Sequence, residues 1–428
     1  MNQFPIASET FIMNTAAGLI DAGHDVDLYG LFGKSSSTVG HNLVEQRGLA
    51  SRAFLPHFSE SKVVRRWLEA PGAFARIAQA SGIRAATSGL NLRAHRRRGL
   101  AMRAIHEVES FQARGQYDAL HCQFGTLAKP VLRHRRAGGL SGPVIVHFRG
   151  YDISSHIVKA GPHYYDQAFG EAEAFIANSA FFRDRAIALG CPADKITVVE
   201  SPINMEIFPF APRMLQPGQP IRILTVGRLV EKKGIAYAIE AIGLLRARGF
   251  SIEHRIVGEG PQRQELEALI GALDLGQIVT LLGERSQEAI AAELAQAHLF
   301  LAPSVHAANG AADAAINTIK EAMASGLPVV STRHGGIPEL VEHGVSGLLA
   351  PERDAAALAD HLHALIRAPE SWPRFAAAGR TAVESRFDTA FIARKILDIY
   401  AIAAERYRSR SATLGVPRWT YWMKPRSP

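Results

Sequence analysis

Short apolar runs alternate with longer stretches in which apolar residues recur at helical spacing, and this alternation continues along most of the chain. In the first half, the pattern predicts a helix at 11–22 and strands at 24–29, 119–122, 144–148, 174–177 and 196–199. A second series begins at residue 221, with strands predicted at 221–226, 254–257, 278–281, 299–302 and 327–330, and it continues to about residue 408. Strands that alternate with helices pair in parallel through helical crossovers, so the pattern predicts an α/β fold.

A proline-rich stretch, with Pro209, Pro212, Pro217 and Pro220, separates the two series and is typical of a linker. We therefore predict two Rossmann-like lobes that face each other across a cleft, where open α/β sheets bind ligands. The predicted parts are a first lobe at 1–205, a linker at 206–220, a second lobe at 221–385, a C-terminal helix at 386–408 that packs back towards the first lobe, and a tail at 409–428.

The first lobe begins without the strand that normally opens such a lobe. Residues 1–5 already read as a loop, and Ser8 is placed to cap the helix that follows. Either the lobe is shorter by one strand or the true start of the chain lies upstream of Met1, and we favour the upstream start.

Composition narrows the class of protein. A chain of 428 residues suits two lobes with sizeable cores. The two cysteines, Cys122 and Cys191, are far apart, which excludes a disulfide framework and fits a reducing compartment. No apolar run is as long as a membrane span. We therefore predict a cytoplasmic protein.

The net charge of +8 is concentrated in one segment. Residues 62–103 contain ten Lys or Arg and one acid, Glu69, and Trp67, Leu68 and Phe74 lie among them. Such a segment can rest on anionic lipid at the inner face of the cell membrane, or it can be a solvated helical face, and both readings stay open. No nucleic-acid-binding motif accompanies the charge, so nucleic acid is not expected as a partner.

The turn at 227–234 follows a predicted strand and opens a helix. Such a turn points backbone N–H groups and the positive end of the helix into the cleft, where a diphosphate can bind. Arg228 and Lys233 add fixed positive charge, which stabilises a leaving diphosphate without a metal.

A second motif contains Asp313 and Glu321, eight residues apart. We predict Glu321 on the first turn of a helix, where its carboxylate can accept hydrogen bonds from ribose hydroxyls. The Gly335–Gly336 pair and Pro338 predict a tight turn that requires glycine. A similar turn at Gly258 and Gly260 is expected near the base of a nucleotide.

Metal and cofactor sites are not expected. The chain has 17 histidines, and His121, His147, His306 and His334 lie near predicted cleft loops, but none pairs with another at metal-ligand spacing. We interpret them as hydrogen-bonding residues. No G-x-G-x-x-G opens either lobe, which argues against a nicotinamide enzyme.

These motifs resemble those of a known family. G-R-L-V-E-K-K-G at 227–234, E-A-M-A-S-G-L-P-V-V-S-T at 321–332 and G-I-P-E-L-V-E at 336–342 resemble the GT-B retaining glycosyltransferases of family 4. F-P-I-A-S-E-T-F-I at 4–12 and F-R-G-Y-D-I-S-S at 148–155 are similar to the colanic-acid and amylovoran exopolysaccharide branch. The resemblance implies a metal-independent enzyme that moves a sugar from a UDP- or GDP-sugar to a lipid-linked saccharide acceptor, with retention of configuration.

The resemblance also implies roles for individual residues. Arg228 and Lys233 would hold the donor diphosphate, Glu321 the ribose, and Asp313 the transferred sugar. The other positions on the donor side are Gly227, Gly258, Gly260, Asn317 and Thr318. The positions on the acceptor side are Ser8, Glu9, Arg149 and Asp152.

The sequence departs from the branch at the sugar-binding loop. Asp313, Ala314 and Ile316 stand where the branch usually has Glu followed by Gly-x-Pro. A shorter carboxylate and a lost glycine can alter the choice of sugar or the turnover. Two alternatives therefore stay open, a catalytically silent nucleotide-sugar-binding or scaffold protein and a sugar-nucleotide epimerase on the same fold.

Overall fold

A computed structural model describes residues 9–30, 47–54, 63–91, 95, 102–111, 117–314 and 316–413. The predicted loop at 1–5, the missing first strand, Ser8 and the tail after Thr413 lie outside the described residues. Within them, the chain forms two lobes of parallel strands flanked by helices, so the predicted α/β class is confirmed.

The described first lobe has two parallel sheets. Strands β3 to β6 form one sheet in chain order, and β1 pairs with β2 in another. The strands are β1 (Leu28–Tyr29), β2 (Ala53–Phe54), β3 (Leu120–Cys122), β4 (Val144–Phe148), β5 (Ala174–Ala177) and β6 (Ile196–Val198). The helices are α1 (Thr10–Asp21), α2 (Val63–Ser81), α3 (Ile83–Ser88), α4 (Arg103–Phe111), α5 (Ala128–Ala137), α6 (Ser155–Ala160), α7 (Asp166–Glu171) and α8 (Ala180–Ala188).

The second lobe has one parallel sheet in the order β12-β11-β10-β7-β8-β9. The strands are β7 (Ile221–Val226), β8 (Ile252–Val257), β9 (Val279–Gly283), β10 (Leu299–Ala302), β11 (Val329–Thr332) and β12 (Leu348–Ala350). The helices are α9 (Ile235–Ala247), α10 (Arg263–Ala272), α11 (Gln287–Gln296), α12 (Asn317–Ala324), α13 (Ile337–Leu340), α14 (Ala355–Arg367), α15 (Trp372–Phe387) and α16 (Thr389–Thr413).

Two strand predictions were inaccurate. The strand expected at 24–29 is limited to β1, because its parallel partner β2 is equally short. The strand expected at 327–330 begins at Val329, because the Leu327 N–H still bonds to the Ala322 carbonyl at the end of α12. The other predicted strands agree with β3 to β10 within a few residues.

Helix α16 brings the end of the chain back to the first lobe. Ile392 and Ile396 are buried with Ile145 of β4 and Ile176 of β5 in one hydrophobic cluster. The helix runs on past the predicted end at residue 408. No described helix has both the length and the apolar character that crossing a bilayer requires.

The two lobes are in direct contact. The Glu339 carboxylate, in α13 of the second lobe, accepts hydrogen bonds from the Ala180 and Phe181 N–H groups at the start of α8, at 2.7 and 2.8 Å. A carboxylate at a helix N-terminus is favourable because it complements the helix dipole. Lys320 of α12 adds a second contact, since its Nζ donates to the Ser201 carbonyl at 2.8 Å.

Candidate functional site

A cavity of about 480 Å³ lies between the lobes. This volume is in the usual range for small-molecule sites, about 300 to 1,000 Å³. Nine of the residues predicted for the site line the cavity: Glu9, Arg149, Gly227, Arg228, Lys233, Asp313, Asn317, Thr318 and Glu321. The structure therefore gathers most of the predicted site in one place. Lys232 and Arg285 also line the cavity and were not predicted.

The turn at 227–234 places cationic side chains in this cavity, but few of its backbone N–H groups are available to bind a ligand. The N–H groups of Gly227, Leu229, Val230, Lys233 and Gly234 already bond to backbone carbonyls. The prediction that backbone N–H groups of this turn bind a diphosphate is therefore wrong for these five positions. An anion in the cavity would therefore be bound mainly by side chains, of which Arg228 is exposed and Lys233 is partly buried.

Asp313 is buried and both of its carboxylate oxygens are bonded. Lys232 Nζ lies 2.7 Å from Oδ1, and Lys233 Nζ lies 2.9 Å from Oδ2. Ser304 Oγ donates to Oδ2 at 3.0 Å. Burial alone would raise the pKa of Asp313, but the two ammonium groups outweigh it and hold that pKa well below its usual value. Asp313 is therefore a fixed carboxylate anion at the end of the cavity.

Glu321 lies in the second turn of α12, which begins at Asn317, so the expected place in the first turn is wrong. Its side chain is buried against the cavity, and no described residue donates a hydrogen bond to the carboxylate. Burial raises the pKa of Glu321 to about 7, although nearby Lys320 lowers it. A buried carboxylate that accepts no hydrogen bond from a described residue suits a ligand with hydroxyl groups that can donate to it.

Asn317 and Thr318 open α12 at the edge of the cavity. Thr318 Oγ1 donates to the Val226 carbonyl at 3.1 Å, which ties the helix to the end of β7. Lys320, which sequence reasoning missed, is fully buried, and its Nζ also contacts Asn317 Oδ1 at 3.3 Å. Burial lowers the pKa of Lys320 to about 7. Lys320 lies in a sequence motif that is otherwise typical of a buried helix, and nothing in that motif marked the lysine as part of the site.

The predicted glycines act through backbone packing. A Cβ on Gly258 would lie 1.9 Å from the Gly227 carbonyl oxygen, and one on Gly260 would lie 2.4 Å from that of Leu229. Neither glycine lines the cavity, so the expectation that they contact the donor is corrected to support of the 227–229 turn. The tight turn at Gly335 is confirmed, because its φ is +52° and a Cβ would lie 2.0 Å from the Asp313 carbonyl oxygen.

Asp152 does not face the cavity, contrary to the prediction. It is fully buried, and its carboxylate accepts hydrogen bonds from the N–H groups of Gly125, Arg149 and Gly150, at 2.6, 3.0 and 2.9 Å. The Asp152 carboxylate therefore fixes the conformation of its own loop through these hydrogen bonds, and it does not contact a ligand in the cavity.

Arg149 does line the cavity, and its guanidinium is held by its neighbours. It donates to the Gln123 carbonyl at 3.1 Å, to Gln123 Oε1 at 2.5 Å and to Ser201 Oγ at 3.0 Å. Glu9, on the same side, has a buried Oε2 with no hydrogen-bond partner among the described residues, and burial raises the pKa of its carboxyl. The first-lobe wall therefore presents one fixed cation and one carboxyl whose Oε2 has no partner within the described part of the chain.

Beside the Asp313 loop, His306, His334 and Glu352 place potential ligand atoms within 4.8 Å of one another. Sequence spacing did not predict this cluster. His306 Nδ1 and His334 Nδ1 lie 2.7 and 2.8 Å from Glu352 Oε1. The His334 Nε2 accepts a hydrogen bond from the Asp313 N–H at 2.9 Å. Both ring nitrogens of His334 are thus already engaged within the protein.

The lining of the cavity is suited to an anion that carries hydroxyl groups. Its cations are Arg149, Arg228, Lys232, Lys233 and Arg285, and its acids are Glu9, Asp313 and Glu321. Cations in a water-poor cleft bind phosphate oxygens strongly, and carboxylates accept from sugar hydroxyls. The arrangement can hold a phosphorylated, hydroxyl-rich ligand across the two lobes.

Family models match both lobes. Residues 7–202 match the model described as "Glycosyl transferase 4-like domain", and residues 220–368 match "Glycosyl transferases group 1". Among solved structures, Anabaena HepE in complex with UDP-glucose is similar with a TM-score of 0.67 and 20% identity, over 94% of this chain and 97% of that chain. Sucrose-phosphate synthase from Thermosynechococcus elongatus has a TM-score of 0.64 and 18% identity, over 96% and 95% of the two chains. The fold is therefore GT-B.

Curated relatives extend over most of the chain. The amylovoran biosynthesis glycosyltransferase AmsK of Erwinia amylovora is 34% identical over 93% of this chain and 97% of its own length. The putative colanic acid biosynthesis glycosyltransferase WcaL of Escherichia coli K12 is 35% identical over 85% of this chain and 88% of its own. The chain belongs to the family of group 1, family-4-like glycosyltransferases, among those of exopolysaccharide biosynthesis.

Proposed function

We propose that the protein transfers a sugar from a UDP- or GDP-sugar to a lipid-linked saccharide acceptor, with retention of configuration and without a metal. The observation that carries the proposal is the arrangement of Arg228, Lys233, Asp313 and Glu321 around one cavity between the lobes. Each has a chemical counterpart in such a donor. The two cations match the diphosphate, Glu321 matches the ribose, and Asp313 matches the sugar.

The bonds that change in the proposed reaction involve the donor and the acceptor. The bond between the anomeric carbon and the phosphate oxygen breaks, and the acceptor hydroxyl oxygen bonds to that carbon on the same face. The hydroxyl proton passes to the departing phosphate. Arg228 and Lys233 stabilise the charge that develops on the diphosphate. Both oxygens of Asp313 are bonded to lysines, which disfavours a nucleophilic role and supports a same-face transfer.

The donor assignment draws support from a structural neighbour that was solved with UDP-glucose, and the acceptor class from relatives named for amylovoran and colanic acid biosynthesis. These statements belong to those proteins. They make UDP the first nucleotide to test here, with GDP as the alternative.

The donor site is tested by calorimetric titration of the protein with UDP and with GDP. We expect one nucleotide to bind and Arg228→Ala to weaken that binding at least about tenfold, because a charge-assisted hydrogen bond contributes about 1.5 to 3 kcal/mol. Arg367→Ala, which removes an exposed arginine outside the cavity lining, is the matched control and should bind normally. Equal affinities in both variants would contradict the assignment of Arg228.

Transfer itself is tested by the release of nucleoside diphosphate with and without an acceptor. A glycosyltransferase releases it in step with glycosylation of the acceptor, an epimerase changes the donor sugar without any acceptor, and a silent binding protein does neither. The departures at Asp313, Ala314 and Ile316 favour testing the silent alternative directly. Asp313→Glu restores the usual family residue, so a rate that changes in this variant indicates a live active site.

Helix α2 motivates the membrane part of the proposal. Val64 and Leu68 are 73% and 77% exposed, and Trp67 is 50% exposed. Exposed apolar side chains on a basic helix suit the surface of an anionic bilayer. Arg65 pairs with Glu69 in the same helix, so part of the charge counted in the sequence is neutralised locally.

Sedimentation with anionic vesicles tests this contact. We expect the wild type to bind and Leu68→Glu to bind at least about fivefold more weakly, because the change removes apolar area that the bilayer would cover and adds a charge that anionic lipid repels. Reversing the charge of Arg96, Arg97 and Arg98 should weaken binding further. Leu273→Glu, which changes an exposed leucine of the second lobe, is the control. Unchanged binding both in Leu68→Glu and in the variant with reversed charges at 96–98 would favour the solvated-face reading.

A further inference from the structure

We propose that His334 is a positioning residue, which holds the backbone of the sugar-binding loop at Asp313, and that Glu352 selects the tautomer in which it can do so. The inference rests on the proposed function for the role of Asp313. It adds a residue pair outside the cavity lining on which the placement of that carboxylate depends.

The direction of each hydrogen bond follows from the Asp313 N–H. A backbone N–H can only donate, so the His334 Nε2 that lies 2.9 Å away must be unprotonated. The ring proton is then on Nδ1, from which it is donated to Glu352 Oε1 at 2.8 Å. His334 is fully buried, which lowers its pKa and favours the neutral ring that this arrangement needs.

The same turn holds the other end of the Asp313 residue. The Gly336 N–H donates to the Asp313 carbonyl at 3.2 Å, and Gly335 leaves no room for a Cβ beside that carbonyl. The turn at 334–336 therefore contacts both the N–H and the C=O of Asp313. Because a side chain follows its own backbone, a shift of this turn displaces the carboxylate from Lys232 and Lys233.

Glu352 is itself held in place by the loop that carries His306. The His306 N–H donates to Oε2 at 2.7 Å, and His306 Nδ1 lies 2.7 Å from Oε1. The carboxylate therefore accepts from two groups of His306 and from the His334 ring, so that it joins two chain segments. This fixes the orientation of the carboxylate and, through it, the position of the proton on His334.

A divalent metal is the rival reading of the same atoms. A metal bound to His334 Nδ1 would displace the proton there, while Nε2 must also stay unprotonated to accept from Asp313. The ring would then be an imidazolate anion, or the Asp313 N–H would be left buried without an acceptor, which costs about 1 to 3 kcal/mol. The geometry therefore points to a hydrogen-bonded chain.

The test separates positioning from general stability. In His334→Asn the shorter side chain cannot place an acceptor at Nε2, whereas in His334→Gln the amide oxygen reaches that place. We expect His334→Asn to lower kcat/KM for transfer about tenfold or more and to change the affinity for the nucleoside diphosphate much less, because Asp313 faces the sugar while Lys233 keeps its charge. His334→Gln should restore most of the loss.

The matched control is His298→Gln, since His298 is also buried and its Nδ1 accepts a backbone N–H, that of Arg222, at 3.1 Å. Hydrogen exchange of the peptide around Asp313 gives a readout independent of activity, and it should rise in His334→Asn only. An equal effect in the control, or unchanged exchange in His334→Asn, would overturn the inference even if transfer is observed. So would stoichiometric Zn²⁺ binding that His306→Ala abolishes. A wild type with no transfer but with the expected exchange pattern would instead count against the proposed function alone.

Discussion

Replacement of Lys233 by methionine is expected to lower the rate of sugar transfer by about 100- to 1,000-fold, the loss typical when one fixed donor to a developing anion is removed. Lys233 lines the cavity, and we propose that it faces the donor diphosphate. Methionine matches the apolar stem of lysine and lacks only the ammonium group at its end. The protein should stay folded, because Lys232 still pairs with Asp313 at 2.7 Å.

The measurement is the release of nucleoside diphosphate in the presence of acceptor, with thermal unfolding recorded in parallel. Lys159→Met changes an exposed lysine outside the cavity lining and is the matched control. A Lys233→Met protein that is folded and retains more than about a tenth of the wild-type rate would contradict the proposed role, since about 1.4 kcal/mol corresponds to a factor of ten.

Replacement of Glu321 by glutamine is expected to stabilise the unliganded protein at pH 8 while weakening nucleotide binding. The folded-state pKa of Glu321 is raised from 4.5 to about 7 by burial. A raised pKa means that this group favours the folded state fully below pH 4.5 and loses that contribution as the pH rises through 7. At pH 8 the buried charge therefore costs up to about 3 kcal/mol, and glutamine removes that cost.

Urea unfolding at pH 5 and pH 8 checks the stability part. The gain in Glu321→Gln should be largest at pH 8 and small at pH 5, whereas Glu370→Gln, at an exposed position, should show no such difference. Nucleotide affinity should fall about tenfold or more, because hydrogen bonds to a charged acceptor are the stronger ones. A variant that is no more stable at pH 8, or that binds nucleotide as well as the wild type does, would contradict this account of Glu321.

Local pattern was sufficient for most of the strands and for four of the residues predicted to bind the donor. A parallel strand is a short apolar run, and β7 and β10 occupy the predicted residues. Arg228, Lys233, Asp313 and Glu321 meet because their segments follow strands of one parallel sheet, whose carboxyl ends share an edge.

Long-range partners were not predictable from the sequence. Asp152 was expected at the acceptor, but its loop folds so that three backbone N–H groups surround its carboxylate. The contact of Lys320 with Ser201, and that of His334 with Asp313 and Glu352, join segments that no spacing rule connects. The amides of the 227–234 turn were misjudged in part for the same reason, because two of the five bond to Val257 and Glu259, while the other three bond within the turn itself.

The contact of Glu339 with the start of α8 couples the distance between the lobes to two hydrogen bonds. The carboxylate belongs to the second lobe, and the two N–H groups that it accepts from belong to the first. A separation of the lobes at this point would break both hydrogen bonds and return the carboxylate and the two N–H groups to water. The contact is therefore a small, reversible clasp between the lobes, made by residues outside the lining of the cavity.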